Sequence, residues 1–495
     1  MRIFFLNPSS VSLERQLGFY RFFDSAFPPL WAGYLCAISS SFTDEISVID
    51  NYVEKMDPKS VVDTIVDFKP DILCISVITQ TASFSYKVAQ GVRHRSPKTK
   101  IIFGNVHASY FSDDIISRGL ADIIVKGEGE FTFREILELL ANKKSDELHK
   151  VKGIVFREDG KIIHTIPRDR IKNLDSIPFP AWRFFKKYLK HYRLYPFIPA
   201  KNTNVLTILA SRGCPYSCNF CTVSMGNKYT IRSPENICDE IETFYENFGI
   251  KNFFFIDPLF PPSKSIGLKI LGYMSKRRIK NIVSWQCETR AEIIDDELSE
   301  ALREAGCQLV SLGIETGEEY LLQNLNKKQR IESIVKAVKS LKKFGIKIMG
   351  LYMLGVPGET KELAERTIRF AKSLDTDITR FSILVPYPGS ELYERYIKGK
   401  YEFTDDDWDS FTTYPSSPSY PYKIDWTDLT PKELISLQLK AHIYTNLSLK
   451  KVSRTIFFRK WEAIYAGLKF ILGVTLKLAK LYFLASATKT PQHKK

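Results

Sequence analysis

Short apolar runs punctuate the first part of the chain at RIFFLN (2–7), EISVIDN (45–51), DILCISVIT (71–79), KIIFGN (100–105) and DIIVKG (122–127). Stretches with helical spacing, such as 58–68 and 82–95, lie between them. Apolar runs without alternation belong to strands buried on both faces. Five such strands joined by crossover helices predict a doubly wound parallel sheet. Ligands on such sheets bind beyond the carboxyl ends of the strands. The residues there are Asn7-Pro8, Ser76–Thr79, Gly104–His107 and Gly127–Glu130, small, polar or glycine-rich.

The pattern then changes. KGIVFREDGKIIHTI predicts a hairpin across Asp159-Gly160, and NLDSIPFPAW a proline-stiffened strap. From 205 the strand and helix signals alternate again, with strands at 205–210, 252–257, 283–289, 308–314, 347–354 and 379–385. Ser233 and Pro234 mark the start of a helix over 234–248. Six βα units fall short of a full eight-stranded barrel and predict a partial one. The expected organisation is an N-terminal sheet domain over 1–145, a linker over 146–204, a (β/α)6 barrel over 205–400 and a C-terminal loop and helical region over 401–495. The stretch 401–426, rich in Pro, Ser, Tyr and Trp, reads either as a surface strap or as a lid on the barrel mouth.

Charge changes the picture at one end only. The chain of 495 residues carries a net charge of +15. Residues 441–495 hold eleven lysines and arginines against one acid, Glu462, so ten of the fifteen excess charges lie there. A nearly balanced body argues against a nucleic-acid partner. Within WEAIYAGLKFILGVTLKLAKLYFLA (461–485), Glu462, Lys469, Lys477 and Lys480 share one helical face. That reads as an interfacial helix in peripheral contact with an anionic membrane, or as a helix packed on the barrel. The N-terminus lacks a secretory signal pattern, so a cytoplasmic location is expected.

Eight cysteines in this length do not form a disulfide framework. Three of them, Cys214, Cys218 and Cys221 in SRGCPYSCNFC, follow the first barrel strand with the spacing C-x3-C-x2-C. Barrel active sites form at that end. Three thiolates can hold three irons of a 4Fe–4S cluster and leave the fourth open to a chelating small molecule. The alternative is zinc with a fourth protein ligand, Cys238 being the nearest candidate, because no histidine occurs between His191 and His442.

With Phe220 before the last cysteine, this segment resembles that of the radical S-adenosylmethionine (SAM) enzymes. The resemblance implies a cluster that binds SAM and cleaves it to a 5′-deoxyadenosyl radical. LGIETG (312–317) resembles the SAM-facing fourth strand, with Glu315 as its polar residue. GLYMLGVPGET (350–360) resembles the fifth-strand segment, where Gly355 and Gly358 would let the backbone approach adenine. Asp257 stands where relatives carry paired acids, and Arg290 is either a balance for the SAM carboxylate or an ordinary ion pair. The family's Gly-Gly-Glu segment on the second strand is absent.

The N-terminal sheet ahead of such a barrel resembles the cobalamin-binding members of that family, which include anaerobic porphyrin cyclases and hopanoid methylases. PPLWAGYLCA (28–37), Ser76, Gly104, His107 and KGEGE (126–130), with Glu128 at its centre, carry this resemblance. It implies that Ser76 and Gly104 line the slot for the nucleotide tail of cobalamin. Asp-x-His-x-x-Gly, whose histidine ligates cobalt elsewhere, is not found, since Asn105 precedes His107. The sheet alone is also compatible with a domain that binds no cobalamin.

The implied function is methylation of an unactivated carbon of a hydrophobic small molecule, a lipid or tetrapyrrole, with flavodoxin or ferredoxin as electron donor. Radical ring formation or oxidation without methyl transfer, and a non-catalytic iron–sulfur and cobalamin sensor, are the competing readings.

Overall fold

The structure is a computed structural model that describes residues 1–9, 26–193, 204–222, 228–415 and 417–446. Its first layer is a seven-stranded sheet: β1 (Ile3–Asn7), β2 (Ile46–Asp50), β3 (Ile72–Ser76), β4 (Lys100–Gly104), β5 (Ile123–Val125), β6 (Ile154–Glu158) and β7 (Lys161–His164). The spatial order is β2-β1-β3-β4-β5-β6-β7. β1 to β5 pair in parallel, as the doubly wound reading expects. β3 is buried along its whole length, and β1 for all but its last residue. Helices cover both faces, and their ends follow local chemistry. Asp57 caps the helix Pro58–Phe68 by accepting from the amides of Lys59 and Ser60.

The hairpin read as part of the linker instead completes this sheet. β6 pairs antiparallel with β5, and β7 with β6. Asp159 and Gly160 both take positive φ, 47° and 78°, as a two-residue turn between twisted strands requires.

The second sheet has six parallel strands: β8 (Val205–Ile208), then, after the two-residue pair β9 (Ser211–Arg212) and β10 (Thr230–Ile231), β11 (Asn252–Phe255), β12 (Ser284–Thr289), β13 (Cys307–Glu315), β14 (Lys347–Leu354) and β15 (Ile378–Ile383). Its order, β15-β14-β13-β12-β11-β8, leaves the first and last strands unpaired with each other, so the barrel is partial and open. The helix Pro431–Asn446 covers the β15 edge. Gln438 donates to the Phe381 carbonyl, and the Asn446 side chain both accepts from the Thr379 amide and donates to its carbonyl. An otherwise bare strand edge is thereby satisfied.

The stretch expected to be a strap or a lid is a strap. Its short 3-10 helix, Asp405–Ser410, docks on the first sheet's lobe: Arg118 makes two hydrogen bonds to Asp405, and Lys87 and Ser83 both reach Asp406. The basic segment 461–485 lies outside the described residues.

Candidate active site

The loop after β8 carries the three cysteines, and several elements fix its two ends. Asp257, just past β11, is buried and accepts from the Ala210 amide, the Ser211 amide and the Ser211 hydroxyl. Burial raises its pKa to about 6, against the pull of those donors. Gly213 has φ 87°, and a Cβ there would lie 2.1 Å from the Lys228 carbonyl oxygen, so only glycine fits. The far end is held by the turn 324–326: Asn219 donates through its backbone to Leu325 and through its side chain to Asn324, and Asn326 donates to the Ser217 carbonyl. Phe220 is partly buried against the apolar cluster that contains Leu321 and Leu325.

Two cations flank the thiols. Arg290 ends β12; its guanidinium donates to Cys218 Sγ at 3.7 Å, pairs with Glu292 and lies 3.8 Å from the Tyr216 ring centroid. Glu315 has φ 66° and is held by Lys327 at 2.5 Å. Both carboxylate and ammonium fold back over Gly313, where a Cβ would clash with each at 2.9 Å. Burial pushes the partly buried Cys218 thiol up, and Lys327 and Arg290 oppose it. Three mutually repelling thiolates beside cationic groups are a donor set that bound iron would stabilise. Among the described residues no three His, Cys, Asp or Glu side chains group closely enough for one metal ion.

Gly355 and Gly358 have positive φ, 79° and 78°. Their surroundings differ from the expected approach to adenine. A Cβ on Gly355 would meet Leu434, and one on Gly358 would meet Asn324 and Tyr320. The buried carboxylate of Glu359 accepts from the amides of Gly355 and Val356, and Trp426 donates to the Gly355 carbonyl. Leu434, in the C-terminal helix, crowds the side of Gly355 where a Cβ would sit, and the helix Glu319–Asn324 crowds that of Gly358.

The second cavity, about 450 Å³, opens at the carboxyl ends of β3, β4 and β5. Ser76, Gly104 and Glu128 line it, as expected. Asn105, at φ 80°, donates to the Ser76 hydroxyl, and the space in front of Gly104 is open, with only the Val125 carbonyl oxygen near at 3.8 Å. His107 does not belong to this site. It is fully buried, its two ring nitrogens bond to the hydroxyls of Tyr86 and Thr79, and its ring packs on Phe111 and Trp408. Burial lowers its pKa to about 3, so it stays neutral as a core residue.

The far wall of the cavity is made by Arg212 and Thr222, at the two ends of the cysteine loop, and by Pro388-Gly389. Arg212 is itself buried and binds both oxygens of Glu130, at 2.6 and 3.1 Å, and Glu128 at 3.3 Å. Glu128 also accepts from the Ile171 amide at 2.5 Å. This triad ties the cysteine loop to the first sheet's lobe. Sequence reading passed over Arg212 and Lys327, although Arg212 stands two residues before Cys214, and it took Glu130 only as part of the ligand-facing edge.

The barrel wall has two unlike faces. Trp285 and Cys287 on β12 face the helices, where the Trp285 indole reaches the Ala305 carbonyl. The alternate residues in register, Thr207, Phe254, Gln286, Glu288, Leu309, Ser311, Met349, Leu351 and Arg380, share the inner face, which mixes polar and apolar side chains. The alternation in SWQCET carried this signal in the sequence.

Residues 208–371 match the model of the radical SAM superfamily, and residues 23–137 that of the B12 binding domain. The chain is 30% identical to an uncharacterized methyltransferase of Pyrococcus horikoshii over 95% of its own length and 97% of the other. This chain belongs to the cobalamin-binding radical SAM enzymes. It is also 24% identical to the anaerobic magnesium-protoporphyrin IX monomethyl ester cyclase of Cereibacter sphaeroides, over 96% of this chain and 74% of that one. The fold matches that of the radical SAM methyltransferase TsrM from Kitasatospora setae, solved with cobalamin and a [4Fe-4S] cluster, at TM-score 0.63 and 18% identity over 79% of this chain and 74% of that one. As a radical SAM enzyme with a B12 binding domain, the chain uses a 4Fe–4S cluster, SAM and cobalamin, and acts on a small molecule. Among the described residues no helix is long and apolar enough to cross a membrane.

Proposed function

We propose that this radical SAM enzyme transfers a methyl group from SAM to a carbon of its substrate. One observation carries the proposal: the 450 Å³ cavity at the end of the first sheet shares a wall with the cysteine loop, through Arg212 and Thr222. Two cofactor seats therefore face one another across a single residue layer. Cys214, Cys218 and Cys221 hold the cluster, and Ser76 and Gly104 form the floor of the cobalamin slot. When bound, the cluster supplies the electron that cleaves SAM, and cobalamin carries the methyl group.

The chain's own residues set the geometry. Asp257 and Gly213 fix where the loop leaves β8. The buried Arg212 triad fixes the loop's distance from the cobalamin slot. Arg290 and Lys327 place two positive charges beside the thiolates and so favour their ionised form. Arg290 acts on Cys218 and Glu292, and Glu315 acts by holding Lys327. A flavodoxin or ferredoxin supplies the reducing equivalents, and the basic tail brings the enzyme to an anionic membrane surface.

The test is anaerobic turnover of the cluster- and cobalamin-loaded full chain with SAM labelled on its methyl group. One SAM should leave as S-adenosylhomocysteine and another as 5′-deoxyadenosine and methionine. Release of 5′-deoxyadenosine with no labelled product and no S-adenosylhomocysteine would replace methyl transfer with a radical reaction of another kind.

A further inference from the structure

A further cavity reaches the cysteine loop, and its lining is basic. The segment RDRIKN (168–173) leads from the hairpin β6–β7 towards the barrel. Arg168, Arg170 and Lys172 alternate along it, and with Lys152 they line an open cavity of about 310 Å³. Among the described residues Asp169 is the one carboxylate in that lining. Four cations against one acid are a local excess in a chain whose first 440 residues carry only five excess positive charges.

The four cations are of two kinds. Arg168 and Arg170 are half-buried and engaged by the protein. Arg168 pairs with Glu135 and donates to the Thr132 hydroxyl. Arg170 donates to the carbonyl of Arg212 at 2.9 Å and to that of Lys228. Lys152 and Lys172 are exposed, and neither forms an ion pair with a described residue. Their charge is therefore free to act on a molecule arriving from solvent. Arg170 also ties the cavity to the cluster ligands. A Cβ on Gly213 would lie 3.1 Å from both terminal nitrogens of Arg170, and Gly213 is bonded directly to Cys214. The Arg212 side chain lines the cobalamin cavity while its carbonyl accepts from Arg170, so the two cavities meet the loop at one residue.

We propose, on the reading above that a carrier protein supplies the electron, that this basic concavity is where the carrier docks and that the carrier presents an acidic face. One electron leaves the carrier, which is oxidised, and enters the cluster, which is reduced; no bond of either chain forms or breaks. Electron-transfer encounters bury little surface and rely on charge for their rate. Exposed lysines beside the cluster loop meet both needs, because they steer an acidic partner in without holding it.

The test uses the cluster- and cobalamin-loaded full chain, SAM and an acidic flavodoxin kept reduced by its own reductase. Lys152→Glu together with Lys172→Glu changes two exposed side chains and should leave the melting temperature unchanged. Flavodoxin-driven release of 5′-deoxyadenosine should fall by about tenfold or more in this double variant. Release driven by dithionite, which needs no docking surface, should match the wild type. Lys152→Arg together with Lys172→Arg should keep the flavodoxin-driven rate. A second readout needs no turnover: a carbodiimide, which joins carboxylates to amines, should link flavodoxin to Lys152 or Lys172 of the wild type. A flavodoxin-driven rate undiminished by the two glutamates, or cross-links confined to other lysines, would overturn the proposal. Absence of 5′-deoxyadenosine from the wild type even with dithionite would instead sink the functional reading, and the cross-link would still decide the docking surface.

Discussion

The two parallel sheets use the same βα grammar but offer ligands different places. In the first, β3 is buried at every residue, and apolar side chains point both ways into helix layers. Nothing can bind across its face, so its cavity lies at the strand ends, among Ser76, Gly104 and Glu128. In the second, the outer face is apolar, while the inner face mixes Gln286, Glu288, Ser311 and Arg380 with Phe254, Leu309, Met349 and Leu351. Curling the sheet gives that face a lumen, and the strand ends carry the cysteine loop above it. One sheet presents a ligand at its edge and the other encloses one, and the Arg212 triad joins the two openings.

The comparison can be broken most severely at the cysteines. Cys218→Ala should abolish both the cluster's visible absorbance and 5′-deoxyadenosine release, because two thiolates cannot hold the three irons of the cluster. Iron content near the wild-type value would point to a different metal site. Next comes the joint. Arg212→Met leaves Glu128 and Glu130 buried without their cation, which should cost about 3–5 kcal/mol in chemical denaturation. The two faces themselves can then be compared. Ile75→Ala, in the first sheet, should cost about 2–5 kcal/mol. Ser311→Ala, on the inner face of the second and itself buried, should cost about 1 kcal/mol. Similar losses at both sites would mean that the second sheet's inner face is packed core.

The smallest effect is one of pH. Burial lifts Glu359, at the end of β14, from an ordinary 4.5 to about 8. The folded protein then holds a proton that the unfolded chain has released, so this group's contribution to stability declines as pH rises from about 4.5 towards 8. Glu359→Gln keeps an acceptor for the Gly355 amide and removes the titration. The variant should match the wild type near pH 5 and overtake it as pH approaches 8, read from paired denaturation curves.

Strand positions were legible in the sequence because each of the eleven parallel strands is a short run of apolar or alternating residues bounded by polar turns. The cysteine loop was legible because its spacing is local. What sequence reading missed was non-local. His107 looks like a ligand-facing residue at the end of β4, yet one turn of helix carries it inward to Tyr86 and Thr79. Gly355 and Gly358 were legible as positions that exclude a side chain, but the residues that crowd them, Leu434 and Tyr320, are distant in sequence. Arg212 finds its carboxylates more than eighty positions away. The hairpin β6–β7 was recognised from its turn, but no local signal says which sheet it joins.

The central claim is that the cysteine loop and the cavity beside it serve one methyl transfer. The most direct measurement follows the fate of methyl-labelled SAM in the cluster- and cobalamin-loaded full chain with small molecules extracted from the cells that make it. The account predicts labelled product, S-adenosylhomocysteine and 5′-deoxyadenosine together, all lost in Cys218→Ala. A preparation with an intact cluster and bound cobalamin that releases 5′-deoxyadenosine but places no label on any product would contradict it.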